Sequence, residues 1–303
     1  MSALPTKEPA TDTHEGELVD IAITARSRDL GGFSVRRVLP AIQRRSVGPF
    51  VFFDHMGPAK MDPGQGMDVR PHPHIALATV TYLFDGQILH RDSLGNRQII
   101  APGEVNFMVA GRGIVHSERS PDEARRTGAT LHGIQTWMAL PLDDEETEPR
   151  FDHHGANTIP IVERDGVRLA IVLGSAYGGT SPVRVLSKTL YVDAALPAGA
   201  TLVLPGDVEE RAVYVAEGAI VCDGKTFEAG TMLVAKPTRH FEVGAERPSC
   251  LMVIGGRPLG ERHVFWNFVS SSKERIERAK ADWKAGRFPK VPGDDVEFIP
   301  LPE

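Results

Sequence analysis

Cysteine is nearly absent: two thiols, Cys222 and Cys250, serve 303 residues. Both fall in strand-like segments, so no disulfide framework is expected and buried free thiols are. Long hydrophobic runs are missing as well. No segment approaches the roughly 20 apolar residues that a membrane span needs. The first residues carry Pro, Thr and charges without an apolar core, so 1–16 reads as a flexible tail, neither signal nor anchor. A basic excess is also lacking, because 34 Lys and Arg stand against 40 Asp and Glu, a formal net charge of −6. Phosphate contacts need clustered cations. The pairs Arg44-Arg45 and Arg125-Arg126 read as solvated surface, so no direct nucleic-acid partner and no membrane partner are expected. The expected compartment is the cytoplasm. What remains is a globular composition, 41% hydrophobic and 24% charged with 30 Gly and 23 Pro. It suits a chain of many turns, long enough for two domains.

The positive feature is histidine. Residues two apart on a strand point to the same side. His72-Pro73-His74 can therefore aim two imidazoles into one interior, and His116-Ser117-Glu118 can add a third imidazole and a carboxylate. With 11 histidines in the chain, chance alone yields roughly 0.4 His-x-His pairs, so the first triplet decides little by itself. Its surroundings decide more. Residues 75–84 form a long run that favours a buried strand. Asp85-Gly86 turns, 87–90 resumes a strand, and 92–96 turns again. Then come Pro102-Gly103, the alternating Val105, Phe107 and Val109, a Gly111-Arg112-Gly113 turn and the second triplet. A strand with two histidines, a hairpin and a returning histidine is the pattern of a small metal-binding barrel.

The stretch HPHIALATVTYLFDGQILHRDSLGNRQIIAPGEVNFMVAGRGIVHSER, from His72 to Arg119, closely resembles the pirins, a branch of the cupin superfamily. The likeness continues through Leu131 to Pro141 and more loosely to the C-terminus. It implies an all-β bicupin, two tandem barrels with a short C-terminal helix, and metal ligands at His72, His74, His116 and Glu118. Two departures bear on the site. Many pirins read His-Pro-His-Arg-Gly-Phe-Glu, where this chain has Ile75, Ala76, Leu77 and Ala78 after His74. Ala78 stands where other cupins keep a glutamate ligand; in pirins that carboxylate comes from the second motif, as Glu118 would here. Losing an arginine and a carboxylate makes the surroundings more apolar.

Residues 17–145 read as the metal-bearing barrel, with short strands at 35–39 and 50–54 and a loop at 56–70. The acidic run Asp143 to Glu146 reads as a solvated linker, with His153-His154 exposed beyond it. Residues 146–303 read as a second barrel. Its strands are expected at 169–173, 188–192, 200–204, 211–215, 219–221 and 231–235, separated by Gly or Pro turns. Glu209-Glu210-Arg211 occupies the place of a second His-x-His, leaving only His240, so no second metal centre is expected. Ser271-Ser272 can cap a helix over 272–285, with Ile276, Ala279, Lys280 and Trp283 on one stripe and Gly286 as the stop.

Three imidazoles and a carboxylate suit one divalent transition metal: iron, manganese, cobalt, nickel or copper, and zinc less distinctively. Tetrahedral zinc would close the site. Fe(II) is the expected metal, because pirins are generally iron-binding and an N/O site with open positions suits it. The resemblance implies two functions. One is a quercetin 2,3-dioxygenase-type reaction on a small aromatic flavonol and O2, with Glu118 as the catalytic base and Ile75, Leu77, Phe107, His132 and Gln135 as pocket residues. The other is a redox-sensitive regulator that binds a transcription factor or metabolic enzyme as protein partner. His90, His132, Gln135, Asp54 and His55 are the candidates to hold the ligand imidazoles.

Overall fold

Strands covered on both faces lose the simple alternation of apolar and polar residues. That is the state of the central strands here: Phe50–Met61, Leu77–Asp85 and Ala129–Ala139 are buried at most positions on both faces. The computed structural model describes residues 8–13, 16–29, 34–237 and 240–302. Within these, two α-helices, Asp122–Thr127 and Lys273–Lys284, accompany the strands.

The first barrel pairs two sheets. Its seven-stranded sheet runs Arg150–His154, Val105–Val109, Leu77–Asp85, Ala129–Ala139, Phe50–Met61, Ser34–Leu39 and Arg26–Asp29. The facing four-stranded sheet runs Asp68–His74, Ile114–Arg119, Ile88–Asp92 and Arg97–Ile100. Between them lie two apolar clusters, one around Phe52, Leu77, Ile114 and Trp137, the other around Val35, Leu83, Val69 and Ile88. The second barrel repeats this layout. A nine-stranded sheet that includes Glu210–Glu217 and Ser249–Gly256 closes a core with a four-stranded sheet that includes Ala219–Cys222 and Glu242–Ala245. The two large sheets pack on each other, burying Phe53, Val80, Tyr82 and Ile134 against Tyr191, Tyr214 and Met252.

Chain crosses the expected boundary between the halves three times. Val19–Thr24 pairs with Thr231–Ala235, placing Ala22 opposite Leu233, so it belongs to the second barrel's sheet. Ala10–Thr13, expected within a tail, pairs with Val19–Thr24; residues 1–7, 14 and 15 lie outside the described residues. An uncovered sheet edge presents unpaired N–H and C=O groups, and these strands extend that edge. Arg150–His154 pairs with Val105–Val109 and stays in the first barrel, so His153 is held by Asn106 Oδ1 at 2.8 Å and is not free in a linker. The expected loop at 56–70 is also shorter, because Phe50–Met61 continues through Met61 and Asp68–His74 has begun.

The third crossing is the C-terminal segment. Ser272 caps Lys273–Lys284, its side chain accepting from Arg275 N, as its residue type favours. Ile276 and Ala279 bury against Ile75, Trp266 and Phe268, so the helix seals the first barrel, not the second. Glu145, expected in a solvated linker, is the anchor. Its carboxylate lies 2.9 Å from Arg262 Nε and accepts from Ser270 Oγ and Ser271 N at 3.0 Å. Replacing Glu145 with alanine leaves the buried Arg262 cation without its carboxylate and is expected to cost about 3–5 kcal/mol. Denaturant unfolding measures this; an unchanged midpoint would show that the pair holds nothing.

Candidate metal centre

Directly opposed residues in an antiparallel ladder share a face. His72 opposes His116 across Asp68–His74 and Ile114–Arg119, and His74, two residues on, aims the same way. One extra residue between Val69 and His72 shifts the register there, which lets both face inward although three apart. The three imidazoles thus converge. Ring centroids lie 4.4 Å apart for His72 and His116, 4.9 Å for His74 and His116, and 5.0 Å for His72 and His74. His74 Nε2 and His116 Nε2 are 3.1 Å apart. One ligand atom from each of the three histidines falls within 4.8 Å of the others, and all three residues are buried.

Each ring is oriented from behind. His72 Nδ1 lies 2.9 Å from Arg70 O, and His74 Nδ1 lies 3.1 Å from Asn267 O. A carbonyl only accepts, so both Nδ1 atoms carry the proton and each Nε2 keeps its lone pair. His116 Nδ1 faces His90 Nδ1 at 3.4 Å, and His90 Nε2 faces the Asp92 carboxylate at 3.1 Å. Asp92 requires the proton on His90 Nε2, which leaves His90 Nδ1 to accept from His116. His116 Nε2 is then also free to ligate. Asp92 is itself fixed by the backbone N–H groups of Leu94 and Asn96 and by the Asn96 amide. Phe151 stacks on His90 at 4.3 Å. Three lone pairs on one point form a donor set that fits a transition metal. Burial pushes all three imidazoles below their ordinary value, His74 to about 3, so they are neutral at pH 7, the form that ligates.

The facing sheet offers a polar row. Arg37, Asp54, Gln135, Thr81, Asn106 and His153 are successive cross-strand neighbours in register. Arg37 Nε and Nη2 donate to the Asp54 carboxylate at 2.8 and 2.7 Å, and Thr81 Oγ1 donates to Gln135 Oε1 at 2.6 Å. Trp137, on the same face as Gln135, meets His74 edge-on at 5.1 Å and stacks on Phe52 at 4.0 Å. Glu118 lies in this interior at 3% exposure. Burial raises its carboxyl above the ordinary value. Glu118 is outside the group of ligand atoms within 4.8 Å.

The five expected pocket residues do not converge. Leu77 joins the cluster of Phe52 and Trp137 inside the barrel, and Gln135 joins the polar row. Phe107 opposes Val80 and faces the core between the two halves, so Asn106 and Met108 take the inner face instead. Ile75 packs on Trp266, on the side opposite His74 where a two-residue period puts it, and Ala76, with a left-handed backbone (φ 53°), resets the phase so that Leu77 faces inward. His132 lies between the halves, its Nε2 2.7 Å from His55 Nε2, with His55 Nδ1 2.9 Å from the Tyr214 hydroxyl. Of the residues expected to hold the ligand imidazoles, His90 touches one; His55 and His132 hold each other. Asn267 gave no local signal, since it reaches His74 from 193 positions away in the chain. In the second barrel, Arg211 is buried and His240 is exposed beside Glu242.

Comparison with known proteins agrees with this geometry. The Pirin family description matches residues 32–138, and that of the Pirin C-terminal cupin domain matches 191–289. A pirin-like protein of Caulobacter vibrioides is 48% identical over 94% of this chain and 100% of its own length. The structure of a quercetin 2,3-dioxygenase from Acinetobacter baumannii superposes with a TM-score of 0.86 at 32% identity, covering 93% of this chain and 94% of that one. The bacterial pirin YhhW of Escherichia coli, in complex with nickel(II), shares the fold at a TM-score of 0.60 and 21% identity, over 77% of this chain and 96% of its own. Two cupin barrels, a three-histidine centre in the first, and near full-length identity to a pirin-like relative together make this chain a member of the pirin family.

Proposed function

We propose that this pirin binds one Fe(II) ion through His72, His74, His116 and Glu118 and opens a flavonol ring, as in quercetin, with O2. The observation that carries this reading is the convergence of three neutral Nε2 atoms inside the first barrel. The likeness to the Acinetobacter quercetin 2,3-dioxygenase supports the reaction class. When bound, the metal supplies Lewis acidity and a meeting point for O2 and substrate. The protein residues do the rest. His72, His74 and His116 hold the ion, each fixed by a hydrogen-bond acceptor behind it. Glu118, buried in the same interior, takes the proton of the substrate's 3-hydroxyl. Trp137, edge-on to His74 and stacked on Phe52, gives the interior beside the histidines an apolar wall.

Anaerobic mixing of iron-loaded protein with quercetin tests this. The expected result is a shift of the flavonol absorption band, followed by carbon monoxide release when O2 is admitted. Iron-loaded protein that leaves the band unmoved would rule out the enzyme reading while leaving the metal site standing. Loading with nickel or manganese in parallel identifies the active ion.

One observation favours a second reading, in which iron oxidation state controls a protein partner. His74 bonds directly to Asn267, in the turn between His263–Phe265 and Phe268–Ser270, and this hairpin carries the C-terminal helix. A change at the metal can therefore reach the segment that ends in the exposed Val296 and Phe298. A partner retained equally under reducing and oxidising conditions would remove this mechanism.

A further inference from the structure

The seam between the first barrel and the C-terminal helix holds a recess of about 430 Å³. That volume falls in the range of small-molecule sites. Its lining includes none of His72, His74, His116 and Glu118. Three arginines line it instead: Arg112 in the turn before Ile114–Arg119, Arg275 on Lys273–Lys284, and Arg287 just beyond that helix. A single carboxylate, Asp282, lines it with them, and Leu94, Pro149 and Phe288 supply apolar wall.

Arg275 is the fixed member of the three. Its side chain is 10% exposed, its Nε donates to Glu146 Oε1 at 2.6 Å, and its Nη2 donates to Arg112 O at 2.6 Å. Its Nη1 is buried with no hydrogen-bond partner among the described residues. A buried donor without an acceptor is costly and uncommon, so one that persists beside a recess points to an acceptor that enters it. The other two arginines are movable. Arg112 pairs with Glu148 and Arg287 with Asp282, but the two guanidinium side chains are 58% and 57% exposed. Exposed pairs of this kind contribute little, so either arginine can turn to a ligand at small cost.

We propose that this recess binds the phosphoryl group of a small phosphate monoester. Guanidinium forks match phosphate oxygens two at a time, and a dianion rewards more than one cation. Arg275 supplies the held donor, Arg112 and Arg287 close onto the anion, and Leu94 and Phe288 meet the apolar part of the ester. A carboxylate monoanion satisfies one guanidinium, whereas three arginines against one lining carboxylate suit the higher charge. The site is independent of the metal centre.

Calorimetric titration of the full-length protein with phenyl phosphate tests this, with the metal loaded and again after chelator treatment. Expected are one site per chain, the same affinity in both states, and weaker binding of inorganic phosphate. Arg112→Gln and Arg287→Gln should each weaken phenyl phosphate about tenfold, the loss of one charge-assisted contact. Asp282→Asn, which removes the competing carboxylate, should tighten it. Arg275→Lys keeps the charge without the fork and should weaken it; where that variant does not fold, the two exposed arginines decide. Arg278→Gln, exposed on the same helix but outside the lining, should change nothing. No binding by the wild type, or an equal loss in Arg278→Gln, overturns the site. So does an affinity that vanishes with the metal, because the phosphate would then sit on the ion. Inorganic phosphate bound as tightly as phenyl phosphate overturns the ester assignment.

Discussion

Replacing His116 with alanine is expected to cut metal content well below the roughly one equivalent per chain of the native protein. His116 is the middle of the site: its Nε2 lies 3.1 Å from that of His74, and its ring lies 4.4 Å from His72. Its Nδ1 is also the link to the His90–Asp92 pair. Removing it leaves two imidazoles and the Glu118 carboxylate and, on the other side, a His90 nitrogen that has lost its donor. That smaller set lacks the ring at the middle of the cluster and holds a dication less tightly. The control is His132→Ala. His132 was expected in the pocket, but it pairs with His55 between the two halves, so its loss should leave metal content unchanged. Elemental analysis of protein purified without chelator checks both variants. Full metal content in His116→Ala would mean that the ion sits elsewhere.

Acidifying the metal-free protein is expected to unfold it before most carboxylates titrate. Burial holds His72 and His116 well below the ordinary imidazole value, and lowers His55 to about 2 and His74 to about 3. In the unfolded chain each titrates near 6.5. The unfolded state thus binds more protons than the folded state across that window, and stability falls as pH falls. The contribution is fully present above about pH 6.5 and is lost progressively down to the folded-state values. At pH 5.5 each of these histidines costs about 1.4 kcal/mol, and four together cost roughly 5–6 kcal/mol. Total stabilities of about 5–15 kcal/mol make this decisive. A melting temperature that stays flat from pH 8 to pH 5 would contradict it. Metal-loaded protein should resist further into acid, since the ion binds only the neutral rings.

Much of the first barrel was legible because its signals are local. A period of two, Gly-bearing turns and two short triplets convey strand, hairpin and ligand spacing within some 50 residues. The strands of the second half were legible for the same reason. Where alternation alone was used to assign faces, it failed at Phe107. Both faces of Val105–Val109 are buried, one in the barrel and one against the other half, so periodicity cannot say which is which. At Ile75 alternation itself points away from His74, and only the left-handed Ala76 resets the phase so that Leu77 faces inward.

The sequence alone determined the fold class, the family and the three imidazoles, because each depends on residues close together along one or two strands. Tertiary structure alone decided what surrounds them. The Asn267 carbonyl behind His74, the polar row from Arg37 to His153 facing the site, and the Thr81 hydroxyl on Gln135 are contacts between residues tens to nearly two hundred positions apart. So is the exchange of Val19–Thr24 and the C-terminal helix between the barrels. The physical reason is that strand pairing and burial depend on which distant backbone edge or apolar face is left uncovered. That is a property of the assembled sheets and of no single segment.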